Sequence, residues 1–387
     1  MTHVPYTLIN GNPSSLRVVD GRIAALGKAP LRGDLVIDLS GDRVLPGLIN
    51  AHDHLQLNSF PRLTYRSRYS SATQWIGDFN ERIRCDPTVQ SAMALTRDER
   101  LFAGGMKNLL SGVTTVAHHD PLFSALRAAS FPVHVVARYG WSHSLHIDGE
   151  AAVLGAYVRT DNAVPWIIHA AEGTDAEASG EFDRLERLGC INANTVIVHG
   201  VALTAPQRER LAAVDAGLVW CPASNLRLFG VTADVVDLAA RGRVALGTDS
   251  RLTGAADLLD ELRVARTLYP GGDDALVKMV TADAARLLRL KDRGSLEVGA
   301  RADLLIIPAG SSLFGISRSD IRLVTLDGIA RYGDADYMNS VSPQGRWAAL
   351  VVDDREKMLD HELARIFGSS SIVEERVCIR SLGEIAA

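Results

Sequence analysis

INAHDHL, residues 49–55, closes an apolar run with two histidines one residue apart. In an extended strand, side chains alternate faces with period two. His52 and His54 therefore share a face, and Asp53 points away. Two imidazoles held side by side destabilise a strand unless something uses them, and a divalent cation is the natural user. Taken alone, such a pair is more often incidental than a metal site, so the rest of the chain has to decide.

Beyond this stretch, short apolar runs alternate with helix-length amphipathic segments, the pattern of βα units around a parallel sheet. The runs VTTVAHH, PVHVVARY, PWIIHAA, TVIVHG, GLVWCP and RVALGTD predict strands; residues 96–111, 176–188, 204–215, 234–240, 257–268 and 274–290 predict helices. Several strands end in a residue able to bind a metal or move a proton: His54, His169, His199 and Asp249. In a (β/α)8 barrel the C-terminal ends of all strands meet at one face, where such folds place their chemistry. The expected fold is therefore α/β, a TIM-like (β/α)8 barrel. Residues 141–164 are too few for a full βα unit with loops, so the barrel is irregular around its third and fourth strands. SHSLHI (142–147) is the expected stunted fourth strand.

Both ends of the chain read differently. SSLRVVDGRIAALG and DLVIDLSGDRVLPG near the start, and IRLVTLDGIARYG and RWAALVVDD near the end, alternate and are punctuated by Gly and Asp. They predict one small β-sandwich formed by both termini, residues 1–48 with 296–352. The barrel then occupies 49–295, and 353–387 forms a C-terminal helix and tail, with DDREKMLDHELARIF (353–367) as a solvated helix.

Of 387 residues, 47% are hydrophobic and 22% charged, with a net charge of −5, an ordinary globular balance. A nucleic-acid footprint needs a clustered basic face, and none is present. No apolar run approaches the length of a membrane span, and no basic segment followed by an apolar core opens the chain. Cys85, Cys190, Cys221 and Cys378 lack metal or redox spacing and read as reduced thiols. The expected setting is cytoplasmic, with neither membrane nor nucleic acid as partner and a homo-oligomer such as a dimer left open.

His52, His54 and His169 offer three neutral imidazoles and Asp249 a hard carboxylate. That donor set suits one catalytic divalent ion, Zn2+ with Fe2+ as the alternative. Such an ion lowers the pKa of bound water to roughly 7, making metal-bound hydroxide the expected nucleophile. Asp249 can also take the water's proton, and His199 can hydrogen-bond the water or the charge it creates. Glu172, three residues after His169, is placed to carry a proton to a ring nitrogen and leaving group. Contacts to a small heterocyclic substrate are expected from His143, Ser224, Asn225, Arg62 and Arg251, and by stacking from Trp75. His118 and His119 read as core or loop histidines, with contact between one of them and the pocket as the alternative.

The stretches VLPGLINAHDHL, SGVTTV, IIHAAEGTDAE, VIVHGVALT, WCPASNLRL and ALGTDS, followed by GSLEVGARADLLII, span about residues 40–310. In order and spacing they resemble the amidohydrolase superfamily, in its branch of cytosine-deaminase-like, triazine-hydrolase-like and adenosyl-type deaminases. The resemblance implies His52 and His54 on strand one, His169 on strand five, His199 on strand six and Asp249 on strand eight. It also implies a single metal, because no lysine lies between Lys107 and Lys278 to be carbamylated on strand four. The implied activity is metal-dependent hydrolytic deamination of an amino-substituted purine, pterin or triazine. The alternatives are cleavage of another C–N, C–halogen or C–S bond, or a non-catalytic relative. Asp53 departs from the family, which usually places a small or hydroxyl residue between the two histidines.

Overall fold

The computed structural model describes residues 4–385, so the outermost domain limits, 1 and 387, lie outside the described residues. Eight short parallel strands build the middle of the molecule. They are β1 (Leu48–Asp53), β2 (Val113–His118), β3 (His134–Val135) and β4 (Gly140–Ser142), then β5 (Trp166–Ala170), β6 (Thr195–His199), β7 (Gly217–Trp220) and β8 (Val244–Leu246). Strands β1, β2, β5, β6, β7 and β8 are buried along their whole length, as strands covered on both faces must be.

β1–β3 pair in one sheet and β4–β8 in another. The seam between β1 and β8 closes near the strand ends: the His54 amide donates to Asp249 O at 2.7 Å and the Asp249 amide to His52 O at 3.2 Å. The other seam corrects the expectation of a short fourth unit: residues 141–164 do hold a helix, Glu150–Arg159, and the link that lacks one is the third, between β3 and β4. β3 pairs with β2 through His134 and Thr115, while β4 pairs with β5 through Gly140 and Trp166. Only residues 136–139 separate them, with no helix between. A parallel crossover takes a dozen or more residues, so a single stretch, 134–142, serves one neighbour with each half. The fourth strand therefore corrects the expectation: it is Gly140–Ser142, and Leu145–Asp148 is a helical turn capped by Ser144.

The flanking helices begin where side chains can satisfy their free amides. The helix that matters most to the site is α2 (Arg97–Leu110), preceded by the strap helix α1 (Ala72–Arg82) and followed by α3 (Ala176–Arg187) and α4 (Pro222–Phe229). α2 opens on a capping box between Thr96 and Glu99, and α3 on Asp175. The helix expected over 274–290 is two, Asp273–Met279 and Ala282–Leu287. Between them the Val280 carbonyl leaves the helical pattern to accept the Ile49 amide of β1.

The two ends do fold together. Arg22–Leu26, Ser15–Val19, Tyr6–Ile9 and Leu35–Asp38 form a four-stranded sheet, and Arg43–Pro46 joins a seven-stranded sheet made otherwise of C-terminal strands. Leu8, Leu16, Ile23, Leu304, Ile306 and Leu323 fill the space between. The turn around Gly41 is thus a crossing from one sheet to the other, not a hairpin. The segment expected as a helix from 353 is also different. Asp353 and Asp354 turn with φ of 47° and 68°, Arg355–Asp360 pairs back on Trp347–Val352, and the helix runs only over His361–Ser369. Its Leu363, Ala364 and Phe367 are buried, so it is packed and not solvated. Cys85 and Cys378 are exposed and Cys190 and Cys221 buried, all as free thiols. Among the described residues, no helix is long and apolar enough to cross a membrane.

Candidate metal and active site

At the C-terminal face of the barrel, three imidazoles turn their Nε2 atoms toward one point. His169 Nε2 lies 3.3 Å from both His52 Nε2 and His54 Nε2. Asp249 Oδ1 lies 3.8 Å from the first and 3.7 Å from the second of that pair. Ligands placed tetrahedrally at about 2.0–2.1 Å from one ion stand about 3.3 Å apart. The donor set and its spacing fit a single divalent cation.

In two of the three rings the opposite nitrogen is held so that Nε2 faces the common point, while His52 Nδ1 is buried without a hydrogen-bond partner. His169 Nδ1 donates to His143 O at 2.8 Å, and His54 Nδ1 sits 2.9 Å from Asp120 Oδ2. Such outer partners fix the tautomer and orientation of a metal-binding ring. Asp249 is anchored likewise. Its Oδ2 accepts from Ser224 Oγ and Thr253 Oγ1, each at 2.6 Å, which leaves Oδ1 facing the histidines. Asp249 and His199 both hold left-handed backbone, φ 59° and 73°, strain of the kind that side chains aimed into a site retain.

Burial dominates the electrostatics. It pushes His52 down to about 4, with Asp249 opposing. At His54 burial is overruled by Asp120, which holds the ring up to about 9. At Asp249 burial is overruled by His52, His199 and His54, and the carboxyl stays well below the usual range. Glu172 goes the other way: burial, then Asp249 and Glu181, drive it well above the ordinary value. Its Oε1 is 3.4 Å from His199 Nε2, while His199 Nδ1 donates to Asn225 Oδ1 at 2.8 Å. A carboxyl with its pKa raised by burial, the imidazole of His199 and a carboxyl with its pKa lowered by the histidines thus surround the cation position.

Comparison with known proteins gives the same direction. The model of the amidohydrolase family matches residues 159–331. A 5-methylthioadenosine/S-adenosylhomocysteine deaminase of Moorella thermoacetica is 35% identical over 339 residues, 71% of this chain and 76% of that protein. The chain belongs to the amidohydrolase family. A deaminase of the same name from Syntrophobacter fumaroxidans is 27% identical, covering 82% of this chain and 87% of its own. Among solved structures, an adenosine deaminase from Xanthomonas campestris with bound zinc superposes with TM-score 0.70 at 18% identity, covering 85% of this chain and 93% of that one. An atrazine chlorohydrolase from Arthrobacter aurescens, complexed with zinc, superposes with TM-score 0.65 at 18% identity, covering 85% and 94%. These two likenesses speak for the fold. As an amidohydrolase, the protein is a hydrolase of carbon–nitrogen bonds.

In this amidohydrolase the residues expected on the substrate side divide sharply. His143 is at the site, its ring 4.8 Å from that of His169. With His169 and Glu172 it lines a cavity of about 30 Å³ roofed by Ser71, Ala72, Thr73 and Ile76. Ser224 and Asn225 are fully buried and spend their side chains on Asp249 and His199, so they hold the machinery in place and do not face open space. Arg251 is committed elsewhere: both terminal nitrogens donate to Glu374 at 2.6 Å. Arg62 is exposed over a separate cleft with Arg227 and Thr253. Trp75 packs in the strap against Phe79, ring centroids 5.3 Å apart, away from the cavity. The roof is pinned by two main-chain bonds, Ala72 N to Glu172 O at 3.0 Å and Thr174 N to Ser70 O at 2.7 Å.

Both histidines of the 118–119 pair are buried, and His119 is the one that reaches the site. The His119 ring lies face to face on His169 at 4.2 Å, with Nε2 donating to Ser142 O at 2.9 Å. One of its ring nitrogens lies within 4.8 Å of ligand nitrogens of His52 and His169, and its Nδ1 is buried without a hydrogen-bond partner. Asp120 was missed by the sequence reading. The signal was there, an acid directly following the second strand in AHHDP, but its partner His54 is 66 positions away.

Proposed function

We propose that this amidohydrolase releases ammonia by hydrolysis from an amino-substituted heterocycle of the purine nucleoside class, using one zinc ion. The observation that carries the reading is Glu172, lining the cavity with Oε1 3.4 Å from His199 Nε2, beside the convergent His52, His54, His169 and Asp249. The names of its relatives, deaminases of thioether-bearing adenosines, support the substrate class. Three nitrogen ligands and one oxygen in tetrahedral spacing favour zinc.

Held by His52, His54, His169 and Asp249, a divalent cation would supply water acidic enough, with a pKa of roughly 7, to attack at neutral pH. Asp249 Oδ1 accepts the proton that the water loses. Glu172 delivers a proton to the ring nitrogen beside the attacked carbon, as a carboxylic acid with a raised pKa can. His199, its Nδ1 proton committed to Asn225, presents Nε2 to the polar centre formed at that carbon. A carbon–oxygen bond forms, the carbon–nitrogen bond breaks, the amino nitrogen leaves as ammonia after receiving the proton first taken by Asp249, and the remaining hydroxyl proton returns to Glu172 as the ring carbonyl forms. A cavity of about 30 Å³ is far smaller than a nucleoside needs. Loading therefore requires the 70–76 strap to move outward.

The test is ammonia release by zinc-loaded protein from a panel of adenosines, pterins and aminotriazines, with Glu172→Gln in parallel. Turnover of an adenosine, lowered roughly 10²–10⁴-fold in the variant at unchanged zinc content, is expected. No ammonia from any member, or full turnover by the variant, overturns the proposal.

A further inference from the structure

Directly behind the paired histidines lies a set of charges that this chemistry does not use. Asp53 stands between His52 and His54, faces the opposite way and is fully buried. Its carboxylate is 2.9 Å from Lys107 Nζ of α2, and both side chains are entirely out of water. The same carboxylate accepts Nδ2 of Asn108 and Asn58 at 2.8 Å and of Asn50 at 3.2 Å. Lys107 Nζ also donates to Asn58 Oδ1 at 2.8 Å and Thr248 Oγ1 at 3.0 Å, so its three protons are placed.

A pair buried this deeply adds little net stability over apolar residues of the same volume. What it grips is more telling. Asn58 Oδ1 also accepts the Arg251 amide at 3.1 Å, and Asn50 Oδ1 accepts the Thr248 amide at 3.1 Å. Thr248 precedes Asp249, and Arg251 follows it by two. One network therefore clasps the residue between the two histidines and the chain on both sides of the carboxylate. It does so across the β1–β8 seam, where a lone bridge, Asp53 to Asp249, joins the strands.

We propose that the Asp53–Lys107 pair is a positioning device, which sets the separation between the histidine pair and Asp249 and thereby the affinity of the site for its cation. The proposal rests on the metal reading above and goes beyond it in assigning a role to residues that touch neither ion nor substrate. Outer partners of metal ligands commonly contribute roughly 10–100-fold to affinity.

The experiment measures zinc affinity by chelator competition, and the visible absorption of cobalt-substituted protein, for wild type, Lys107→Met, Asp53→Asn and Thr248→Val. Thr248→Val deletes one link and keeps the ion pair, so it reports even where Lys107→Met does not fold. Expected are a roughly 10–100-fold loss of zinc affinity in Lys107→Met and Asp53→Asn, a several-fold loss in Thr248→Val, and altered cobalt spectra in all three. A purely structural role would lower the denaturation midpoint of metal-free protein and leave the cobalt spectrum unchanged. Wild-type affinity and spectrum in Thr248→Val, or in Lys107→Met where that variant folds, overturn the proposal. Wild-type protein that takes up no zinc overturns instead the metal reading beneath it.

Discussion

His199 gives its Nδ1 proton to Asn225 Oδ1 and so keeps Nε2 free beside Glu172. Replacing Asn225 by Ala frees the ring to turn, and a misplaced catalytic group loses on the order of a hundredfold in rate. Steady-state kinetics of Asn225→Ala should show that loss in kcat with KM little changed. Asp120→Asn acts on a different quantity. It weakens the partner of His54 Nδ1, and zinc affinity measured by chelator competition should fall roughly 10–100-fold. At this scale the sequence was most informative about residues at strand ends, because parallel strands carry their last residues to one face. It named Ser224, Asn225 and Arg251 as substrate contacts and not the bonds they make, because their partners Asp249, His199 and Glu374 are neighbours only in space.

Among elements, the strap and the loop after β5 meet closely at Gly173. A Cβ there would lie 2.6 Å from Ser70 O and 2.8 Å from Ser71 Cα, both backbone. Gly173→Ala should push the strap from the Glu172 loop and destabilise the fold by about 1–3 kcal/mol in urea titration. KM should fall, because the outward strap position that loading requires is then populated more often. In the sandwich, Asp34 accepts Arg17 Nε and Nη2 at 2.9 Å and Thr7 Oγ1 at 2.7 Å. Arg17 chiefly, against burial, holds this carboxyl below its usual range. A carboxyl depressed on folding contributes stability that is present in full above its unfolded pKa of about 3.9 and is lost as pH falls below it. Asp34→Asn should therefore lower the urea midpoint at pH 7 and make much less difference near pH 2. Helix starts were legible because capping residues announce them. The shared stretch 134–142 was not, since an apolar run has the same texture whether it pairs with one neighbour or two in succession.

For the whole molecule, texture alone foretold that the two ends fold together, but not how far the last segment reaches. Glu374, almost fully buried, binds both Arg251, beside Asp249, and Arg318, at 2.6 Å each. Removing one partner of a buried pair costs about 3–5 kcal/mol because the remaining charge is stranded. Glu374→Ala should lose that much in equilibrium unfolding, and part of its turnover as the Arg251 loop relaxes. The sandwich also has a consequence in time. Arg43–Pro46 lies against Leu304–Ile307, and Asp42 accepts the amide of Ala309, 267 positions later. At about 5–20 residues per second, the opening strands leave the ribosome on the order of ten to fifty seconds before their partners exist. Until then an unpaired edge is offered to any neighbouring nascent chain, so the yield of this protein in a cell is governed by what shields that edge during synthesis.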